Sequence, residues 1–190
     1  MRCSLLINIL LSMQTAVSVL QWKDRKAFLD LHNHYRKMIL HGKVYNQPSA
    51  DRMNILSWDE NLARNAENWA SKCEMGHDDD RDRRTMEFRF VGQNWAGVKN
   101  YTDAVRLWFE EHNYYNYWTN ECEWGKVCGH YTQLIWADTQ KVGCGFKKCP
   151  KTQMPFGYSV VCNYGPAGNF IGKFPYETSE EAYNFDQLLL

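Results

Sequence analysis

Gly129-His130-Tyr131-Thr132-Gln133-Leu134-Ile135-Trp136 and, further on, Val160-Val161-Cys162-Asn163-Tyr164-Gly165-Pro166-Ala167-Gly168-Asn169-Phe170 are the stretches on which the fold turns. The second overlaps a run, residues 156–164, that is rich in β-branched and aromatic side chains. Residues 141–148 form a similar run, and Pro150 and Pro155 stand between the two, the pattern of a pair of antiparallel strands. Upstream the period changes. Phe28, Leu31, Tyr35, Met38 and Ile39 recur at helical spacing and predict an amphipathic helix over 24–40, ended by His41-Gly42. Ser57 with Glu60 three residues on reads as a capping box for a second helix over 58–73, whose apolar face is Leu62, Ala66, Trp69, Ala70 and Cys73. A third helix starts near Thr102, with Val105, Trp108, Phe109 and His112 on one side, and residues 89–98 read as extended. Six Asp and Arg residues between His77 and Arg84 predict a solvated surface loop. Helices first and strands later, without a regular βαβ alternation, give an α+β domain in which helices cover an antiparallel sheet.

The chain has 190 residues, 44% of them hydrophobic, enough for one core rather than two large domains. Its formal net charge of +0 removes the electrostatic case for a nucleic-acid partner. Residues 1–18 read as an export signal, with Arg2 at the start, a short apolar stretch from Leu5 to Met13, and small residues Ala16-Val17-Ser18 for cleavage after Ser18. That stretch falls short of the ~20 residues a transmembrane segment needs. The expected division is therefore signal 1–18, domain 19–176 and a short C-terminal tail 177–190. Removing Cys3 with the signal leaves Cys73, Cys122, Cys128, Cys144, Cys149 and Cys162, an even number that implies three disulfides in a secreted, extracellular chain. Spacing alone leaves their connectivity open.

The two stretches quoted first resemble the two signatures of the CAP superfamily, the cysteine-rich secretory, antigen 5 and pathogenesis-related proteins. Similarity extends to Leu31-His32-Asn33-x2-Arg36, Leu56-x-Trp58, Ser71-Lys72-Cys73-x3-His77, Gly92-x-Asn94 and Trp108-x2-Glu111, so it spans residues 24–176. The wording is most similar to secreted flatworm venom allergen-like proteins. The resemblance implies a three-layer α-β-α sandwich with a central antiparallel sheet, and the pairings Cys73–Cys149, Cys122–Cys128 and Cys144–Cys162. It also implies a cleft in which two His and two Glu converge. Carried over, these positions are His77, His130 and Glu111, while the fourth falls on Gln93. An amide is a poor ligand for a hard cation, so the cofactor expectation is none required, with zinc held weakly by His77 and His130, and Glu111 as a further ligand.

Catalysis has little support. The chain carries no Gly-x-Ser-x-Gly elbow and no His-Glu-x-x-His helix, and every mature cysteine has an expected partner, so a metal-dependent protease ranks last. The resemblance implies instead a non-enzymatic protein that binds sterol or fatty acid. Phe109, Tyr114 and Tyr117 are the sterol-loop candidates, on an aromatic spacing that an aromatic core also produces. Leu31, Tyr35 and Met38 are the fatty-acid groove candidates. The alternative partner is an extracellular host or self protein. Asn100-Tyr101-Thr102 offers one glycosylation site, at Asn100, in the mature chain.

Overall fold

A computed structural model describes residues 22–180, so the expected signal lies outside the described residues, as do tail residues 181–190. Alternation along the strands decides the layers. In strand β6 (Tyr158–Gly165), Val160, Cys162 and Tyr164 join the main core, and Val161 and Asn163 point the other way. Strand β5 (Lys141–Lys148) pairs with it antiparallel, Cys144 directly opposite Cys162. Strand β2 (Gly92–Val98) pairs antiparallel with β6 on its other side, and the two-residue strand β1 (Ser57–Trp58) runs parallel to β5. The sheet order is β1-β5-β6-β2, which leaves β2 as an open edge.

One face of the sheet carries helix α2 (Glu60–Ser71), which packs on β5 and β6. Two glycines let it approach closely. A Cβ on Gly143 would lie 2.1 Å from the Ala63 nitrogen, and one on Gly145 would lie 2.4 Å from the Glu67 nitrogen. Backbone cannot yield at such distances, so both positions must lack a side chain. Leu62, Ala66, Trp69 and Ala70 are the buried face of α2, as the period predicts. Its cap differs from the expected one. Ser57 sits in β1, and Asp59 is the N-cap, its Oδ1 accepting from the backbone nitrogens of Asn61 and Leu62 at 2.9 Å each. An ionised carboxylate satisfies two orphan N–H groups and favours the helix dipole, so it takes the role from Ser57.

The opposite face carries helix α1 (Trp22–Leu40), helix α3 (Ala104–Glu110) and helix α4 (Gly129–Leu134). This completes the α-β-α sandwich. A turn of 3-10 helix leads into α3 and another follows it, and a small hairpin, β3 (Tyr115–Asn116) with β4 (Glu121–Cys122), lies before α4. Arg36 of α1 is fully buried and donates to the carbonyls of Asn54, Leu134, Trp136, Ala137 and Thr139 at 2.8–3.2 Å. Its charge is held by carbonyl dipoles alone, and burial pulls the guanidinium down to about 9. Disulfides join Cys73 to Cys149, Cys122 to Cys128 and Cys144 to Cys162. Glu177 and Ser179 hydrogen-bond back to Asp51, so the start of the expected tail lies against the domain.

Candidate functional site

The cleft residues approach the open edge of β2 from both layers. Gln93, second residue of β2, stands opposite Asn163 and on its face of the sheet. His77 comes from the loop after α2, a loop anchored by Cys73–Cys149, and its Nδ1 lies 2.9 Å from Gln93 Oε1. From the other layer come Glu111, just past α3, and His130, in the first turn of α4. The two imidazole centroids are 6.4 Å apart, and the Trp108 ring lies 6.1 Å from that of His130. All four positions named from the sequence therefore share one cleft.

Both oxygens of Glu111 are engaged. Its Oε1 accepts from His130 Nδ1 at 2.6 Å, and its Oε2 accepts from the backbone nitrogens of His130 and Tyr131 at 3.0 and 3.1 Å. Cys128, the N-cap of α4, supplies no side-chain bond, so Glu111 caps the helix from another element. The sequence reading did not find α4. A six-residue helix containing Gly129 and Thr132 has weak propensity, and its capping group lies far upstream.

The loop over 77–84 is exposed at Asp79, Asp80, Arg81, Asp82 and Arg84, as expected, and is corrected at two residues. It was expected to lie in solvent, but Arg83 is buried and the Asp78 side chain is only 5% exposed. Arg83 Nε donates to Asp78 Oδ1 at 2.7 Å, and the same oxygen accepts from Gln93 Nε2 at 3.0 Å. Gln93 Nε2 also donates to Asn163 Oδ1 at 3.0 Å, and Asn163 Nδ2 donates to the Leu62 carbonyl at 3.3 Å. A run of charges reads as solvated unless a partner outside the run is known, and Gln93 lies fifteen residues from Asp78. Beside this network is a cavity of about 290 Å³ lined by Arg83, Arg89, Phe90, Gln93, Gln133 and Asn169 among others; neither histidine lines it.

These side chains fit two metal ligands and not four. Both Glu111 oxygens are engaged, Gln93 is uncharged, and each Nδ1 faces an acceptor, which leaves the two Nε2 atoms. Among the described residues the one group of three ligand-type side chains within reach of one another is His32, Cys144 and Cys162, and those cysteines are joined as a disulfide. His32 is fully buried. Its Nδ1 bonds the Phe28 carbonyl at 2.7 Å and its Nε2 bonds the Tyr164 hydroxyl at 2.8 Å, and burial lowers its pKa to about 4.

The aromatic candidates divide. Phe109 is buried, stacked on Tyr35 at 4.0 Å, and Tyr117 is buried, stacked on Tyr176 at 4.7 Å with its hydroxyl bonded to the Tyr176 carbonyl. Tyr114 is 39% exposed and stands with Trp118 at 40% and Trp124 at 96%. Around that rim is an open cavity of about 550 Å³ lined by Tyr114, Tyr115, Thr119, Glu123 and Trp124 among others. Leu31, Tyr35 and Met38 are partly buried against the main core. Asn100 is exposed just before the 3-10 turn.

A disulfide-linked α-β-α sandwich with a His- and carboxylate-lined cleft at one sheet edge defines a class of small stapled domains. Residues 29–164 match the profile of the family described as "CAP: Cysteine-rich secretory protein family", and the chain belongs to that family. It is 39% identical over 159 residues to GLIPR1-like protein 1 of Mus musculus, covering 79% of this chain and 62% of that relative. It is 40% identical over 167 residues to venom allergen 5 of Polistes fuscatus, covering 81% of this chain and 79% of that one. Venom allergen-like protein 4 of Schistosoma mansoni superposes with a TM-score of 0.73 at 31% identity, covering 82% of this chain and 95% of the other. The chain thus spans somewhat less than two thirds of the first of these relatives.

Proposed function

We propose that this chain is a secreted, non-catalytic carrier that takes up sterol on the aromatic rim of the Tyr114–Trp124 segment. Trp124 supports this reading most directly. A tryptophan 96% exposed, on a loop closed by Cys122–Cys128, presents apolar area that the domain itself leaves unburied. Tyr115 and Tyr117 are buried, so the exposed aromatic side chains of the segment are Tyr114, Trp118 and Trp124, of which Tyr114 and Trp124 line the cavity, rather than Phe109 and Tyr117. The neighbouring open cavity of about 550 Å³ has Tyr114, Tyr115 and Trp124 in its lining, together with polar side chains such as Asn113, Thr119 and Glu123. Fatty acid is the second lipid, with Leu31, Tyr35 and Met38 as its contact side chains.

Absence of catalysis rests on the groups at hand. All six cysteines among the described residues are disulfide-bonded, and among those residues no hydroxyl bonds the Nε2 of His77 or His130. Zinc held by those two nitrogens would be weakly bound. Three disulfides suit the oxidising conditions of export, and among the described residues no helix is long and apolar enough to cross a membrane.

The test is saturable binding of radiolabelled cholesterol and palmitate to the purified protein. Cholesterol uptake reduced about tenfold or more in Trp124→Ala with Trp118→Ala, a loss of roughly 1.4 kcal/mol, is the expected result. Palmitate uptake weakened in Tyr35→Ala instead would move the site to the α1 groove. Saturable uptake of neither would overturn the carrier reading in favour of an extracellular host or self protein as partner.

A further inference from the structure

Asp78 and Gln93 carry a consequence for the cleft that is independent of which lipid the rim binds. Two groups in their network have fixed roles: the Leu62 carbonyl can only accept, and so can the ionised Asp78 carboxylate. Because Asn163 donates Nδ2 to Leu62, its Oδ1 faces Gln93. Gln93 must then aim Nε2 at both Asn163 and Asp78, which turns its Oε1 toward His77. An amide oxygen cannot donate, so His77 Nδ1 carries the proton. On the other side of the cleft the Glu111 carboxylate imposes the same choice on His130. In the neutral imidazoles both lone pairs are then on Nε2.

We infer that Asp78 is the residue that requires an amide at position 93, and that through Gln93 it sets the Nδ1–H tautomer of His77. Gln93 is buried, and a carboxylate there would put one oxygen within hydrogen-bond distance of both the Asp78 carboxylate and the Asn163 carbonyl oxygen. Two like charges at that separation repel, and neither oxygen has a proton to offer. Arg83 does not remove the conflict, since its Nε is already engaged by the Asp78 carboxylate and its Nη2 by the Asp78 backbone carbonyl and the Asp80 carboxylate. Besides Glu111, a second carboxylate thus stands at the cleft, at residue 78. There it is paired with a guanidinium and acts on His77 only through the amide, as a positioning residue.

Nitrogen-15 spectra of the histidine rings at pH 8 read the tautomers directly. His77 and His130 are both expected as Nδ1–H in the native protein. Gln93→Met, which removes the acceptor, should shift His77 toward the Nε2–H form that a free histidine side chain prefers and leave His130 unchanged. His77 found as Nε2–H in the native protein, or unmoved in Gln93→Met, would overturn the assignment. A double-mutant cycle tests the role of Asp78. Gln93→Glu is expected to lower Tm by about 5 °C or more, and Asp78→Asn added to it to recover most of that loss. A harmless Gln93→Glu, or losses that simply add, would show that Asp78 does not dictate the amide.

Discussion

At the residue scale the buried polar side chains separate support from ligand binding. His32 and Arg36 lie four apart on α1 and both point into the core, where Arg36 finds its partners in other elements and His32 bonds the Phe28 carbonyl of its own helix and the Tyr164 hydroxyl of β6. His32 gives a pH prediction whose sign is fixed. Its folded value of about 4 lies below the ordinary 6.5, so between those limits the unfolded chain binds a proton that the native one does not. Stability therefore falls as pH drops from 6.5 toward 4, by an upper figure of about 3 kcal/mol from this group. Urea denaturation across that range should show a shallower acid limb in His32→Phe; an unchanged slope would assign the acid sensitivity elsewhere. The helical period placed Phe28, Tyr35 and Ile39 without giving a reason for His32 and Arg36 to be inside. Apart from the Phe28 carbonyl, their partners are carbonyls and a hydroxyl in other segments, which no local pattern encodes.

At the scale of elements, legibility follows how local the cause is. Helices α1 and α2 and strands β5 and β6 stand where periodicity and prolines put them, since burial on one face writes itself into a single segment. The start of α2 moved from Ser57 to Asp59 because two cap-forming residues compete there and only pairing with β5 decides which is released from the strand. Helix α4 was not legible, for its cap is Glu111. Nor was the role of Asp78, whose neighbours in sequence are charges and whose neighbours in space are Gln93 and Arg83. The α2–β5 contact supplies the element-scale prediction. Gly143→Ala should destabilise the protein by about 2 kcal/mol or more, since the added carbon meets helix backbone rather than a movable side chain. Gly172→Ala, with open space around its Cβ but a positive φ, should cost less. Equal midpoints in urea for both variants would contradict so close a helix–sheet approach.

For the whole molecule, the three disulfides differ in the length of chain they close. Cys73–Cys149 spans 76 residues and Cys122–Cys128 spans 6. On the chain-entropy estimate the first stabilises by about 4.5 kcal/mol and the second by about 2 kcal/mol. Replacing both cysteines of the long bridge by serine should therefore lower the urea midpoint more than the same change in the short one. It should also loosen the loop that carries His77, while removal of the short bridge should act on the aromatic rim and on the start of α4, where Cys128 is the N-cap. A short-bridge variant that loses more stability than the long-bridge one would mean that packing around Cys128, and not chain closure, dominates.

Glu111 holds the first turn of α4 with the same two oxygens that, in a metal-binding cleft, would meet a cation. Removing this carboxylate would therefore leave two backbone N–H groups of α4 without their acceptor, whatever the cleft binds.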